Sequence, residues 1–140
     1  MKLDIARMDV WVAGIEDCPG GLAEILSGLA AAGANLEFGI ARRSPEGPEE
    51  AVIFAAPITG ARQTKAAKQL GFQKSKSVHG VRVIGADKPG LGLTLTEALA
   101  VAGLNLRGFS GVTVGKRAAF HFAFDTAANA AKAVRVLQKL

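Results

Sequence analysis

Two short motifs recur in this chain at one and the same spacing, and that coincidence constrains the fold more than any other feature. Asp17-Cys18-Pro19-Gly20 returns 70 residues later as Asp87-Lys88-Pro89-Gly90. Gly33-Ala34-Asn35-Leu36 returns, again 70 residues on, as Gly103-Leu104-Asn105-Leu106. Between the motifs, Ile25 and Leu29 map onto Leu95 and Leu99. Self-similarity at a fixed period marks repeated structural units. The chain therefore reads as a tandem duplication, with halves over residues 1–78 and 79–140.

Each half opens on an extended run, Val10-Trp11-Val12-Ala13 and Val81-Arg82-Val83-Ile84, whose β-branched residues favour a strand. A D-x-P-G turn follows, with proline in the first helical turn, where its missing N–H needs no partner. Leu22, Ile25, Leu26 and Leu29 then form an i, i+3, i+4, i+7 stripe, and Leu95, Ala98, Leu99 and Ala102 form the second one. Gly33 and Gly103 stand where a C′ glycine ends a helix. Second strands are predicted from Asn35 and from Asn105. The first half continues through a polar loop, Ser44-Pro45-Glu46-Gly47-Pro48-Glu49-Glu50, into a strand over Ala51–Ala56. The second half makes a tight hairpin at Gly115-Lys116-Arg117 before Phe120-His121-Phe122-Ala123-Phe124. Further helices are predicted near residues 61–70 and 127–139, and Phe72–Val78 reads as a last strand.

The order is β-α-β-β-α-β, the ferredoxin-like pattern. The expected class is α+β: two ferredoxin-like repeats with antiparallel sheets, the second lacking its own last strand. The N-terminal run supplies a substitute. Leu3 and Ile5 are apolar at odd positions, while Met8, Val10 and Val12 are apolar at even ones. Such a phase change predicts a kink near Ala6-Arg7 and a separate strand over residues 2–6 that completes the second sheet.

Composition narrows the function. Seventeen lysines and arginines against twelve aspartates and glutamates give a net charge of +5. The basic residues fall on helix faces, as in Arg62, Lys65 and Lys68 or Lys132, Arg135 and Lys139, which is the pattern of solvated surfaces. Aromatics make up 6% of the chain, with no stacking platform beside these charges, so nucleic acid is not expected. No run approaches the roughly 20 apolar residues that span a bilayer. The N-terminus has no apolar signal core, and one cysteine, Cys18, fits a reducing compartment, so a cytoplasmic protein is expected. His79 and His121 have no companion at metal-ligand spacing, and no metal or cofactor is expected. Serine-hydrolase, zinc-protease and phosphate-loop signatures are missing, which argues against an enzyme.

A strand, a D-x-P-G turn, an amphipathic helix and a G-x-N-Leu entry to the next strand together resemble the ACT domain, a regulatory ligand-binding module, here in two copies. The resemblance implies a non-catalytic sensor that binds an amino acid at an interface between ACT domains, and a homodimer or other homo-oligomer. The alternative reading is a regulatory subunit that docks onto a biosynthetic enzyme through its ACT-like domains. The site residues it implies are Asp17, Cys18, Pro19, Gly20, Gly21 and Leu22 with Asn35 and Leu36, and Asp87, Lys88, Pro89, Gly90, Leu91 and Gly92 with Asn105 and Leu106.

The turn has a physical logic for this task. A glycine lets backbone approach a ligand closely, and the free N–H groups of a helix start hold a carboxylate. Asp17 or Asp87 either caps its own helix or accepts hydrogen bonds from an α-ammonium. Asn35 and Asn105 either bind ligand with their amides or occupy the left-handed conformation common after a helix. Cys18 reads as an ordinary turn residue or as a thiol at a helix start.

Overall fold

The computed structural model describes residues 1–43 and 50–140, so the polar loop expected from Ser44 lies, through residue 49, outside the described residues. Six strands and four helices follow in the order β1 (Asp4–Glu16), α1 (Gly21–Ala31), β2 (Phe38–Arg43), β3 (Glu50–Ala56), α2 (Gly60–Gln69), β4 (Gln73–Ala86), α3 (Leu91–Val101), β5 (Gly108–Val114), β6 (Arg117–Phe124) and α4 (Ala127–Gln138). The class is α+β. The chain forms two compact units, a first of Asp9–Ser75 and a second of Met1–Met8 with Lys76–Leu140.

In the first unit β3 lies between β2 and β1, antiparallel to both. Trp11 faces Ala55 and Ala13 faces Ile53 across one pairing, and Gly39 faces Ala55 across the other. The inward residues of these strands meet Leu29 of α1 and Ala67 of α2. With Ile58 and Phe72 they make a closed core, and Ile25 and Leu36 pack at its margin.

In the second unit β6 lies between β4 and β5, again antiparallel to both. Val81 and Phe109 both face Phe122. The core joins Val81, Val83, Phe122 and Phe124 to Leu91, Leu95 and Leu99 of α3 and to Leu137 of α4. Leu3 and Ile5 pack against this core. Beside them Arg82 Nη2 of β4 donates to Asp4 Oδ2 at 3.1 Å.

Four expectations change. Pro19 and Pro89 do not enter the first helical turn, since α1 and α3 begin at Gly21 and Leu91 behind the N-caps Gly20 and Gly90. There is no separate strand over residues 2–6: β1 runs unbroken from Asp4 to Glu16. Leu3, Ile5, Trp11, Ala13 and Ile15, all odd, serve the cores. Met8 and Val10, 7% and 6% exposed, are buried on the other face. The even apolar residues reflect a strand covered on both faces, not a change of phase. Likewise Phe72–Val78 and Val81–Ile84 are not two strands but one, β4, running through Gly80. Finally, β2 and β5 begin at Phe38 and Gly108. Asn35 and Asn105 therefore precede the strands, in the loops after α1 and α3.

The helix ends behave as the glycines require. After α1, Gly33 N–H donates to Ala30 O at 2.9 Å and Ala34 N–H to Leu29 O at 3.1 Å. After α3, Gly103 N–H donates to Ala100 O at 2.9 Å and Leu104 N–H to Leu99 O at 3.0 Å. These are Schellman closures, with glycine at φ of +84° and +77° in the left-handed position.

Past the second strand of each unit the register shifts. Gly39 and Phe109 are 70 apart, but their partners Ala55 and Phe122 are 67 apart. The caps Thr59 and Thr126 are also 67 apart, with φ, ψ of −133°, 149° and −134°, 155°. The shorter Gly115-Lys116 turn removes three residues from the spacing.

Candidate functional site

The D-x-P-G residues build the same backbone twice. Gly20 has φ +87° and Gly90 has φ +82°, and each is the N-cap of the helix that follows. Only glycine adopts this left-handed conformation without strain. The Gly20 carbonyl accepts from Glu24 N–H at 3.0 Å and the Gly90 carbonyl from Thr94 N–H at 2.9 Å. Gly21 N–H folds back to Cys18 O at 3.1 Å, and Leu91 N–H to Lys88 O at 3.3 Å. The next two amides of each first turn have no helical carbonyl behind them. A Cβ at Gly20 or Gly90 would meet nothing within 4 Å.

The aspartates do not cap. Neither helix start carries a side-chain cap hydrogen bond. Each carboxylate instead turns toward the strand that returns alongside the turn. Asp17 Oδ2 accepts from Arg43 Nε of β2 at 2.8 Å. Asp87 Oδ1 accepts from Thr113 Oγ1 of β5 at 3.4 Å. Arg43 and Thr113 stand 26 residues beyond their aspartates in both units. They are the site neighbours that sequence reasoning missed. Adding 70 to Arg43 gives Thr113, so the duplication marks the two as equivalent positions without showing what they touch.

The remaining implied residues divide into those at the turn and those away from it. Asp17, Cys18, Pro19 and Gly20, like Asp87, Lys88, Pro89 and Gly90, are exposed. Leu91 is 2% exposed and belongs to the core, so its side chain cannot line a ligand, while Leu22 at 38% can. Gly21 is buried, and a Cβ there would run into the Glu16 carbonyl oxygen. Leu36 and Leu106 pack at the margins of their cores. Asn35 and Asn105 are exposed, and no non-glycine residue among the described ones has positive φ, which removes the left-handed reading of both asparagines. Within one unit each asparagine lies at the far end of its helix from the turn. Helices α1 and α3 each have 11 residues, and at 1.5 Å per residue that is about 16 Å. No small ligand touches both ends, so an asparagine joins a turn only from elsewhere.

Cys18 is exposed, with Sγ 3.9 Å from Glu16 Oε2. His79 Nε2 lies 3.0 Å from Lys76 O. Among the described residues no three histidine, cysteine, aspartate or glutamate side chains are grouped to hold a metal, and no helix is long and apolar enough to cross a membrane. Two shallow surface hollows lie away from the turns, over Lys65 and Lys68 of α2 and over Lys132 and Arg135 of α4.

No protein-family model matches the sequence, and no curated protein matches it. Solved structures do match in fold. Protein BT0572 from Bacteroides thetaiotaomicron superposes with a TM-score of 0.76 over 98% of this chain and 89% of its own, at 15% identity. The regulatory subunit of aspartate kinase from Thermus thermophilus, in its ligand-free form, matches with a TM-score of 0.65 over 99% of this chain and 94% of its own, at 19% identity. The fold is that of the aspartate kinase regulatory subunit. This is the fold that the resemblance in the sequence implied. Escherichia coli aspartokinase III, in complex with aspartate and ADP, contains the same fold over 32% of its chain, covering 98% of this one at 16% identity with a TM-score of 0.58. The aspartate kinase regulatory fold thus occurs both as a separate subunit and as part of a longer enzyme chain.

Proposed function

We propose that this chain is a non-catalytic regulatory protein of two ACT-like repeats, which senses an amino acid at its D-x-P-G turns. The observation that carries the reading is the pair of matching left-handed glycine turns at the starts of α1 and α3, where a Cβ at Gly20 or Gly90 would meet nothing within 4 Å. An exposed aspartate stands next to each, in a fold shared with a kinase regulatory subunit. The ligand's carboxylate meets backbone N–H groups around Gly20-Gly21-Leu22 or Gly90-Leu91-Gly92, where the helix dipole favours an anion. Its ammonium meets Asp17 or Asp87. Asn35 or Asn105, about a helix length from the turn of its own unit, contributes from a second copy of the chain in a homodimer. Binding stabilises that interface and shifts the population able to meet a partner.

The two repeats rest on the twin glycine turns, the twin Schellman closures and the threonine caps. The N-terminal part of β1 completes the second repeat, a role supported by Leu3 and Ile5 at its core. An exposed free thiol at Cys18 suits a reducing compartment, which supports a cytoplasmic protein.

A thermal-shift screen of the twenty common amino acids tests the reading. A ligand at 100 times its Kd adds about 2.7 kcal/mol of stability, and at least one amino acid is expected to raise Tm. If none does, sensing is wrong and a second reading takes its place: a subunit that docks onto a biosynthetic enzyme, favoured by the aspartate kinase regulatory subunit among the structures it resembles. Co-purification from the native cell, identified by mass spectrometry, then decides that one.

A further inference from the structure

The two candidate turns share a backbone but not a charge environment. In the first, the Asp17 carboxylate is already paired: Arg43 Nε stands 2.8 Å from Oδ2, and the Asp17 side chain keeps 24% of its exposure. In the second, the position of the guanidinium is taken by the Thr113 hydroxyl, at 3.4 Å from Asp87 Oδ1. An arginine neutralises a carboxylate and supplies the N–H donors that a ligand's ammonium would bring. A threonine donates one long hydrogen bond and leaves the negative charge in place.

The helix starts differ in the same sense. Glu24 lies in the first turn of α1, where it engages the positive end of the helix dipole. The first turn of α3 holds no acidic residue. Glu16 reaches toward Cys18 in the first turn, whereas Lys88 occupies the place of that cysteine in the second. A carboxylate arriving at the first turn therefore meets Glu16 and Glu24, and its ammonium meets an aspartate already neutralised. At the second turn the carboxylate meets Lys88 and an unshared helix start, and the ammonium meets an aspartate held only by a hydroxyl.

We infer that Arg43 acts as a built-in occupant of the Asp17 turn, so that the chain takes one zwitterionic ligand, at the Asp87–Gly92 turn. This rests on the amino-acid reading above. Arg43 is itself 80% exposed, and exposed ion pairs are weak and screened by salt. The closure is therefore adjustable, and removing one side chain is enough to undo it.

Amide-resolved NMR titration of the full chain with each of the twenty common amino acids reads the two turns separately. Wild-type protein is expected to shift the amides of residues 90–92 and to leave those of 20–22 in place. Arg43→Thr, which copies Thr113 into the first unit, is expected to bring residues 20–22 into the response, and adding Asp17→Asn to remove that new response again. Asp87→Asn is expected to weaken binding at the second turn by about 10–100-fold, the worth of a hydrogen bond to a charged group. Wild-type shifts at both turns, shifts at 20–22 alone, or a first turn that stays silent in Arg43→Thr while 90–92 respond would each overturn this inference and leave amino-acid sensing standing. Silence at both turns with every amino acid overturns the sensing reading and this inference with it.

Discussion

Gly21 and Leu91 occupy the same place, one residue after the left-handed glycine, and they bring their helices to the sheet in different ways. At Gly21 the Glu16 carbonyl comes so close that no Cβ fits. At the same place in the second unit Leu91, 2% exposed, is the first of three leucines, with Leu95 at 0% and Leu99 at 1%, that anchor α3 in its core. Helix α1 has one such anchor, Leu29 at 1%, while Leu22 and Leu26 each remain 38% exposed. The turn itself is indifferent to this, since φ at Gly20 and Gly90 differs by only a few degrees. The comparison separates two roles. The D-x-P-G residues set the path of the backbone, and the residue after them decides how firmly the helix is fastened.

The sharpest way to test that difference is to remove an anchor from each helix. Leu95→Ala is expected to cost about 2–5 kcal/mol, the range for emptying a closed core site. Ile25→Ala, at the half-buried position 70 residues earlier, should cost less than half as much. Equal losses in denaturant titrations would mean the two helices are fastened alike. Next, removing residues 1–6 takes Leu3 and Ile5 from the second core and Asp4 from Arg82. A loss on the order of 3 kcal/mol is expected, with amide exchange accelerating in residues 76–140 and unchanged in 9–75.

Gly20→Ala and Gly90→Ala should each cost about 1–2 kcal/mol from the left-handed backbone alone, and by equal amounts, because nothing else stands near either position. The same strain means that valine at Gly20 or Gly90 disturbs the fold as well as the site. The smallest expected contrast lies at the threonine caps. Thr126 accepts from Asn129 N–H at 3.0 Å, and Thr126→Ala should cost about 1 kcal/mol. Thr59 has no such bond, and its own N–H is held by Gln63 Oε1 at 2.9 Å, so Thr59→Ala should change Tm little.

Much of this fold was legible because its punctuation is local. Glycines at 20, 33, 90 and 103 permit the positive φ that a turn or a helix end calls for, and all four adopt it. The strand–helix order and the hairpin at Gly115 followed from the same kind of signal. What was not legible depends on neighbours far away in sequence. The odd and even apolar residues of β1 looked like a kink, because a single sequence does not show that Met8 and Val10 are covered on the second face. Capping could not be told from another role at Asp17 and Asp87, because the partner of each stands 26 residues away on a returning strand. In the sequence Arg43 is no more than the second half of an Arg-Arg pair before the polar loop. Its place above Asp17 requires β2 to run back along β3, with Arg43 facing Ala51, and that is a tertiary fact.

The path of β1 also has a consequence in time. The first unit is one contiguous stretch, Asp9–Ser75, and can close on itself as soon as its last residue has been synthesised. The second must unite Met1–Met8 with a segment that starts at Lys76. Its N-terminal piece therefore waits, already made, for a partner that emerges some seventy residues later. Long-range closure of that kind is slow compared with local folding. During the delay Leu3 and Ile5 have no core to enter, and the N-terminal piece is a strand without its neighbour, which is the condition in which strands pair with the wrong chain. The alternation of charge around them, Lys2, Asp4 and Arg7, keeps that waiting segment unattractive to other copies until β4 arrives.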